Sequence, residues 1–460
     1  MIQVKLTPHR GFLRAAPEGS QETQKLFLLA QLTPQAGTAR APVALTFVVD
    51  TSGSMREKVQ GGRNKLELVT QALSNLLQSP DLDDKDQLSI VRFDDDASTV
   101  TPLTNNRAQV ARGIEDLRKY SGGTMMGLGM LEALSNSVGQ NTGAQANRRV
   151  MLLTDGATFD EDACRAVTGT YVAQHITVTS IGVGNEFNED LMGEISDRTG
   201  GKVIHVVAQG ANPPASVLAS DLPQVLSSEF SRAAKEVITN LEFTLRGVKG
   251  VTLDRVTRVY PFLAEIEMAR FEGGAKASAG NLESGDQTAF LFELTLPPRP
   301  AVKVRIAQIG LTFDVPGEGT RGEIPPLDIV VEFTFDENQT AQVNSEVMGY
   351  VQQRNLEGLV KQAAQEAQSN PAQAAKTLEI ARQMTVRLGN SAMTVALDQA
   401  KSELEQNKTI QAGTAKTIKM GAKTQTIKIG GGSPTPGVQT AGDGTANLPS
   451  DEEIRRITGA

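Results

Sequence analysis

The segment APVALTFVVDTSGSM, residues 41–55, constrains this chain more than any other. An apolar run from Ala44 to Val49 ends on an acid, Asp50, followed at once by Ser52 and Ser54. A continuous hydrophobic run reads as a buried parallel strand, and such sheets bind ligands outside the carboxyl ends of their strands. The segment therefore predicts an α/β fold with one carboxylate and two hydroxyls at a strand tip. That oxygen-only set suits a hard cation.

Two later segments have related features. Ser121-Gly122-Gly123-Thr124 opens a helical pattern that runs through Leu131 to Leu134, and Val150-Met151-Leu152-Leu153-Thr154-Asp155-Gly156 is a second apolar strand ending on an acid. Taken together and in this order, DxSxS, GGT and TDG resemble the metal-ion-dependent adhesion site of the von Willebrand factor A (VWA) domain, over about residues 40–210. The matching positions are Asp50, Ser52, Ser54, Thr124 and Asp155. The resemblance implies Mg2+, or another divalent cation such as Mn2+ or Ca2+. Magnesium seeks near-octahedral oxygen coordination, which two carboxylates and three hydroxyls leave open on the solvent side. A partner protein's Asp or Glu would fill that position. The plainer alternative is an ion that only staples loops.

Alternating helix and strand patterns from residue 64 to 207 fit a doubly wound, mostly parallel, Rossmann-like sheet. Beyond residue 237 only strands with period-two apolarity follow, such as Leu241-Phe243-Leu245 and Phe290-Phe292-Leu294, as in a β-sandwich. The expected layout has N-terminal strands at 1–39, which join the later β-domain, with the VWA domain (40–210) inserted after them. A linking helix (211–236), a β-sandwich-like domain (237–340), a small helical region (341–407) and a disordered tail (408–460) follow. Asp94-Asp95-Asp96 reads as a solvated acidic loop, because neighbours on an extended backbone point apart. His9, His175 and His205 lack metal-ligand spacing and read as structural or surface residues.

The tail has few large apolar residues and a nine-residue repeat, KTIKMG at 416–421 and QTIKIG at 425–430. Such a composition predicts disorder. Thr417, Thr424 and Thr426 each precede an aliphatic residue or Met by three positions, which resembles the phosphothreonine pattern read by forkhead-associated (FHA) domains. The tail is thus expected to carry phosphorylation sites for a Ser/Thr kinase, with strand addition to a partner or an inert linker as alternatives. Residues 450–455, SDEEIR, read as a short capped helix.

Composition excludes several classes. A formal net charge of −8 argues against general nucleic-acid binding, which needs clustered Lys and Arg. The absence of Trp and the 4 Tyr argue against stacking on single strands. The single cysteine, Cys164, fits a reducing compartment, and no stretch is long and apolar enough to span a membrane, so a cytoplasmic location is expected. No P-loop or Ser/His or Cys/His arrangement stands out, so no enzyme is expected. The layout resembles bacterial cytosolic VWA proteins. It suggests a metal-dependent scaffold or adaptor in kinase-linked signalling, or else a substrate-presenting partner of a MoxR-type AAA+ ATPase. A metal-dependent hydrolase is the least favoured reading.

Overall fold

The structure is a computed structural model that describes residues 2–17, 19–35, 40–59, 62–139, 146–207 and 217–429. Seven strands form one sheet in the order Val217–Leu218, Val203–Val207, Thr177–Val183, Asn147–Thr154, Val43–Asp50, Gln87–Phe93, Ala97–Thr104. Every neighbouring pair is parallel except the last. All eight residues of Val43–Asp50 are buried, which is why this strand reads as an unbroken apolar run rather than an alternation.

Helices cover both faces. Val43, Leu45, Phe47 and Val49 pack against helices Lys65–Leu76, Arg107–Asp116 and Leu222–Lys235. Val48, on the opposite face, packs with Met126–Gly139, Glu161–Ala173 and Glu189–Thr199. From Val43–Asp50 the chain moves to Gln87–Phe93 on one side and later returns to Asn147–Thr154 on the other. The strand order therefore reverses at this central pair, and a crevice opens at their carboxyl ends.

A two-sheet sandwich flanks this unit. Its first sheet orders Ile2–Pro8, Gln24–Pro34, Thr288–Leu296, Thr252–Tyr260 and Ala264–Glu265. The second orders Met268–Phe271, Gly274–Glu283, Glu236–Gly247, Val302–Val315, Thr320–Thr334 and Phe12–Arg14. Leu28 pairs with Phe292 across the first sheet, so chain from both sides of the α/β unit shares one sandwich core. Helix Leu222–Lys235 runs directly into strand Glu236–Gly247 and so joins the two units.

Three helices, Ser345–Ser369, Pro371–Leu388 and Ser391–Asn407, share a core of mostly Leu and Ala. Asn370 and Asn390 cap the second and third helices by accepting from the backbone N–H groups of Gln373 and Met393. Among the described residues no helix is long and apolar enough to cross a membrane.

The segment expected to be disordered from 408 onward is ordered as far as 429. Ala412–Thr424 is a helix, and residues 425–429 follow it without regular secondary structure beside helix Ser345–Ser369. The helix buries Thr414, Thr417, Ile418, Met420, Gly421 and Ala422, a stripe whose small side chains hide it from a hydropathy reading. Lys416 and Lys419 pair with Glu189, while Lys423 pairs with Asp197 and Glu357. Residues 430–460, including the expected helix at 450–455, lie outside the described residues.

Candidate metal centre

At the crevice the chain turns sharply after Asp50. Residues Gly53–Arg56 form a single 3-10 turn, with the Gly53 N–H donating to the Gly122 carbonyl at 3.0 Å. Arg56 ties the same two loops together by donating to the carbonyls of Arg118 (2.9 Å) and Tyr120 (2.8 Å). The two glycines are sterically useful here, since a Cβ on either Gly122 or Gly123 would lie 2.6 Å from an Asp95 carboxylate oxygen.

Four of the five sequence-nominated side chains are linked by hydrogen bonds. Asp50 Oδ1 accepts from the Ser52 N–H at 2.8 Å, and the Ser52 and Ser54 hydroxyls are 3.0 Å apart. The Ser54 hydroxyl donates to Asp155 Oδ1 at 2.8 Å. Thr124, the fifth, is buried on the facing loop, where its hydroxyl lies 4.0 Å from the position a Cβ on Gly156 would take. Its carbonyl accepts from the Phe159 N–H and the Thr158 hydroxyl, both at 3.1 Å. Asp160 then caps helix Met126–Gly139 by accepting from Gly127 N (3.0 Å) and Leu128 N (3.1 Å). These bonds fix both loops that face Asp50.

The electrostatics are unusual. Asp50 is 0% exposed and forms no ion pair with Lys or Arg among the described residues. Among the described residues its polar support comes from the Ser52 N–H and hydroxyl and from the Thr154 hydroxyl, which donates at 2.6 Å. Burial pushes its carboxyl up to about 6, against the opposing pull of these bonds. A buried carboxylate without a counter-charge, faced by hydroxyl oxygens only, is a donor set that fits a hard divalent cation. No group of three His, Cys, Asp or Glu side chains suited to a metal converges among the described residues, so any ion here would rely on the hydroxyls.

Sequence reasoning missed three residues at this site. Lys65, the first residue of its helix, places Nζ 2.6 Å from Asp155 Oδ2 and 2.8 Å from Glu57 Oε2. A resident ammonium therefore neutralises the second acid but not the first. Asp94 is not part of a solvated loop. It is buried, accepts from Arg92 (2.8 Å) and the Thr51 hydroxyl (3.1 Å), and so braces the turn after Asp50; Asp95 and Asp96 are the exposed members. Phe159 is 82% exposed and lies beside Gly123 of the GGT loop. An isolated aromatic shortly after the TDG strand end was the only sequence signal for it.

Residues 44–212 match the family model of the von Willebrand factor type A domain. This chain carries a VWA domain. Domains of this family commonly bind protein partners through a metal ion. An uncharacterized protein of Synechocystis is 25% identical over 331 residues, spanning 69% of this chain and 73% of the relative. Among solved structures, a von Willebrand factor type A protein from Catenulispora acidiphila superposes with a TM-score of 0.77 at 16% identity, over 93% of this chain and 97% of that one. The ArnB paralog VWA2 from Sulfolobus acidocaldarius gives 0.58 at 15% identity, over 93% and 99%. At such identities the likeness concerns the fold, and it extends well beyond the VWA domain.

The tail threonines have partners other than the residues of this centre. Thr417 is 2% exposed, and its hydroxyl sits 3.3 Å from His205 Nδ1. Thr424 donates to the Met420 carbonyl at 2.9 Å and Thr426 to the Pro261 carbonyl at 2.6 Å. The expectation of an accessible phosphorylation site on a flexible tail is therefore corrected for Thr417, whereas Thr424 and Thr426 are half-buried with their hydroxyls engaged. Folding of this segment onto the VWA domain and the sandwich engages all three hydroxyls. Cys164 is buried, and burial raises its thiol far above the usual range, so it is no nucleophile at neutral pH.

Proposed function

We propose that this protein is a metal-dependent protein-binding module. In this reading Asp50, Ser52, Ser54, Thr124 and Asp155 hold a divalent cation, Mg2+ by its oxygen preference, and a partner's Asp or Glu completes the coordination. The observation that carries the reading is Asp50, a buried carboxylate without a basic partner among the described residues, close to the Ser52 and Thr154 hydroxyls at the point where strand order reverses. When bound, the cation would supply the missing counter-charge and a Lewis-acidic position toward solvent. The chain's own residues do the rest: Arg56 and Asp160 hold the facing loops, and Thr154 orients Asp50. Exposed Phe159 at the rim offers apolar contact to whatever docks, since aromatic anchors dominate binding energy at interfaces. With Thr417 buried, this reading uses no phosphothreonine handle on the helix Ala412–Thr424.

The test is a magnesium titration of the full chain followed by calorimetry and thermal denaturation. Binding with a raised melting midpoint is expected in the native protein and not in Asp50→Asn or Ser54→Ala. Absence of any heat or shift with Mg2+, Mn2+ and Ca2+ would overturn the reading. A shift that persists in both variants would place the ion elsewhere.

A further inference from the structure

The seam between the VWA domain and the sandwich buries an unequal number of opposite charges. Three pairs are complete: Arg149 with Glu236, Lys202 with Glu229 at 2.6 Å, and Arg232 with Glu283 at 2.7 Å. A fourth cation, Arg258, is more deeply buried than the other three, at 3% exposed, and has no carboxylate partner among the described residues. Its Nη1 and Nη2 donate to the carbonyls of Gly200 (3.2 Å) and Ala279 (2.8 Å), and its Nε has no partner. The guanidinium lies 4.5 Å from the ring centre of Phe262 and 5.9 Å from that of Phe290. Asp197 and Glu283 are near enough to favour its charge, but Lys423 and Arg232 already engage them.

Arg258 lines a cavity of about 30 Å³, together with all members of the three pairs. The lining thus holds four cations against three carboxylates. Buried charges persist in proteins when they are paired, and an arginine cannot escape by giving up its proton as a lysine can. Burial and the neighbouring Arg232 and Arg149 lower Arg258 only to about 10, so it stays charged at neutral pH. A water would satisfy Nε but leave the charge. At about 30 Å³ the cavity has room for one or two water-sized particles, which favours a monatomic anion over phosphate or sulfate, and the deficit is a single negative charge.

We propose that this cavity binds a small monovalent anion of the halide class, held by Arg258 at the seam between the two units. The anion completes a fourth ion pair and makes the VWA–sandwich junction depend on it.

The decisive experiment is diffraction at the bromine absorption edge from crystals of the full chain soaked in sodium bromide. An anomalous peak within hydrogen-bond reach of Arg258 Nε is expected; ordinary water density without anomalous signal overturns the proposal. In solution, the melting midpoint should rise with sodium chloride relative to sodium gluconate at matched ionic strength, and Arg258→Met should abolish the difference. Equal midpoints in the two salts would count against the site. If Arg258→Met does not fold, the bromide experiment on the native chain still decides.

Discussion

Acidification should loosen the C-terminal helix through one histidine. His205, on strand Val203–Val207, is covered by helix Ala412–Thr424 and is almost fully buried. Its Nε2 lies 2.8 Å from the Gly184 carbonyl, its Nδ1 faces the Thr417 hydroxyl, and its ring tilts against Phe187 at 5.4 Å. Burial, aided by the Lys416 ammonium and opposed by the Gly184 carbonyl and Glu189, lowers it from 6.5 to about 4. A depressed histidine favours the docked state fully above pH 6.5, and this support is lost as pH falls toward 4, because the released imidazole takes up a proton that the docked one refuses. At about 1.4 kcal/mol per pH unit, the window amounts to about 3 kcal/mol. If undocking returns His205 to solvent, opening of the helix should rise about a hundredfold between pH 7 and pH 4. Hydrogen exchange of peptides covering 412–424, corrected for intrinsic rates, reads this opening directly. His205→Gln keeps a donor for the Gly184 carbonyl and removes the titration, so its opening should change far less. Equal pH slopes in the two proteins would refute the argument.

Three further outcomes follow from the same structure. Lys65→Met removes the ammonium from Asp155 and should tighten Mg2+ binding about tenfold at low ionic strength; calorimetry showing weaker binding would mean that Lys65 positions Asp155 for the ion. Phe159→Ala should leave the melting midpoint within about 1 °C. It should also weaken by about tenfold a peptide selected from a random library in magnesium and released by EDTA, and unchanged affinity would remove Phe159 from the docking face. Arg354→Met strips Glu293 of its buried partner at 2.9 Å, though Lys25 remains 3.2 Å from the same carboxylate. It should cost about 3 kcal/mol in denaturant unfolding, and a cost near zero would show that Lys25 suffices.

The VWA fold was legible because its signals are local and repeated. A buried parallel strand leaves an uninterrupted apolar run, and of the two central strands one ends on an acid, Asp50, and the other is followed at once by one, Asp155. Asp50, Ser52 and Ser54 could be nominated from a single turn of chain. What could not be read is what tertiary structure alone brings to that turn. Lys65 looks like any polar residue at a helix start, and only the crossing of its helix over the crevice sets Nζ on Asp155, 90 residues away in sequence. Asp94 sits in an acidic triplet that invites a solvated reading. Its burial depends on Arg92, two residues earlier on the strand, and on the Thr51 hydroxyl across the neighbouring strand end.

The repeated tail motif shows the limit most clearly, since two near-identical hexapeptides part ways in structure. In the first copy, Thr417 and Ile418 lie mid-helix, and Met420 joins Phe187, Met192 and Val203 in a small cluster on the VWA domain. In the second, Thr426, Ile427 and Ile429 lie outside any helix or strand, with Ile427 N donating to Gln353 Oε1 at 2.9 Å and Ile429 N to the Tyr350 hydroxyl at 3.0 Å. β-branched residues tolerate either conformation at small cost, so local propensity leaves the choice open. The flanks begin to separate the copies: Ala415, Ala422 and Lys423 flank the first, whereas glycines follow the second. The surfaces finish the choice. A groove lined by Glu189 and Asp197 accepts a lysine-bearing helix, while helix Ser345–Ser369 offers Gln353 and Tyr350 as partners for a non-helical backbone. Composition alone predicts disorder for such a segment because it counts large apolar side chains, and this one is held by small residues and charge pairs.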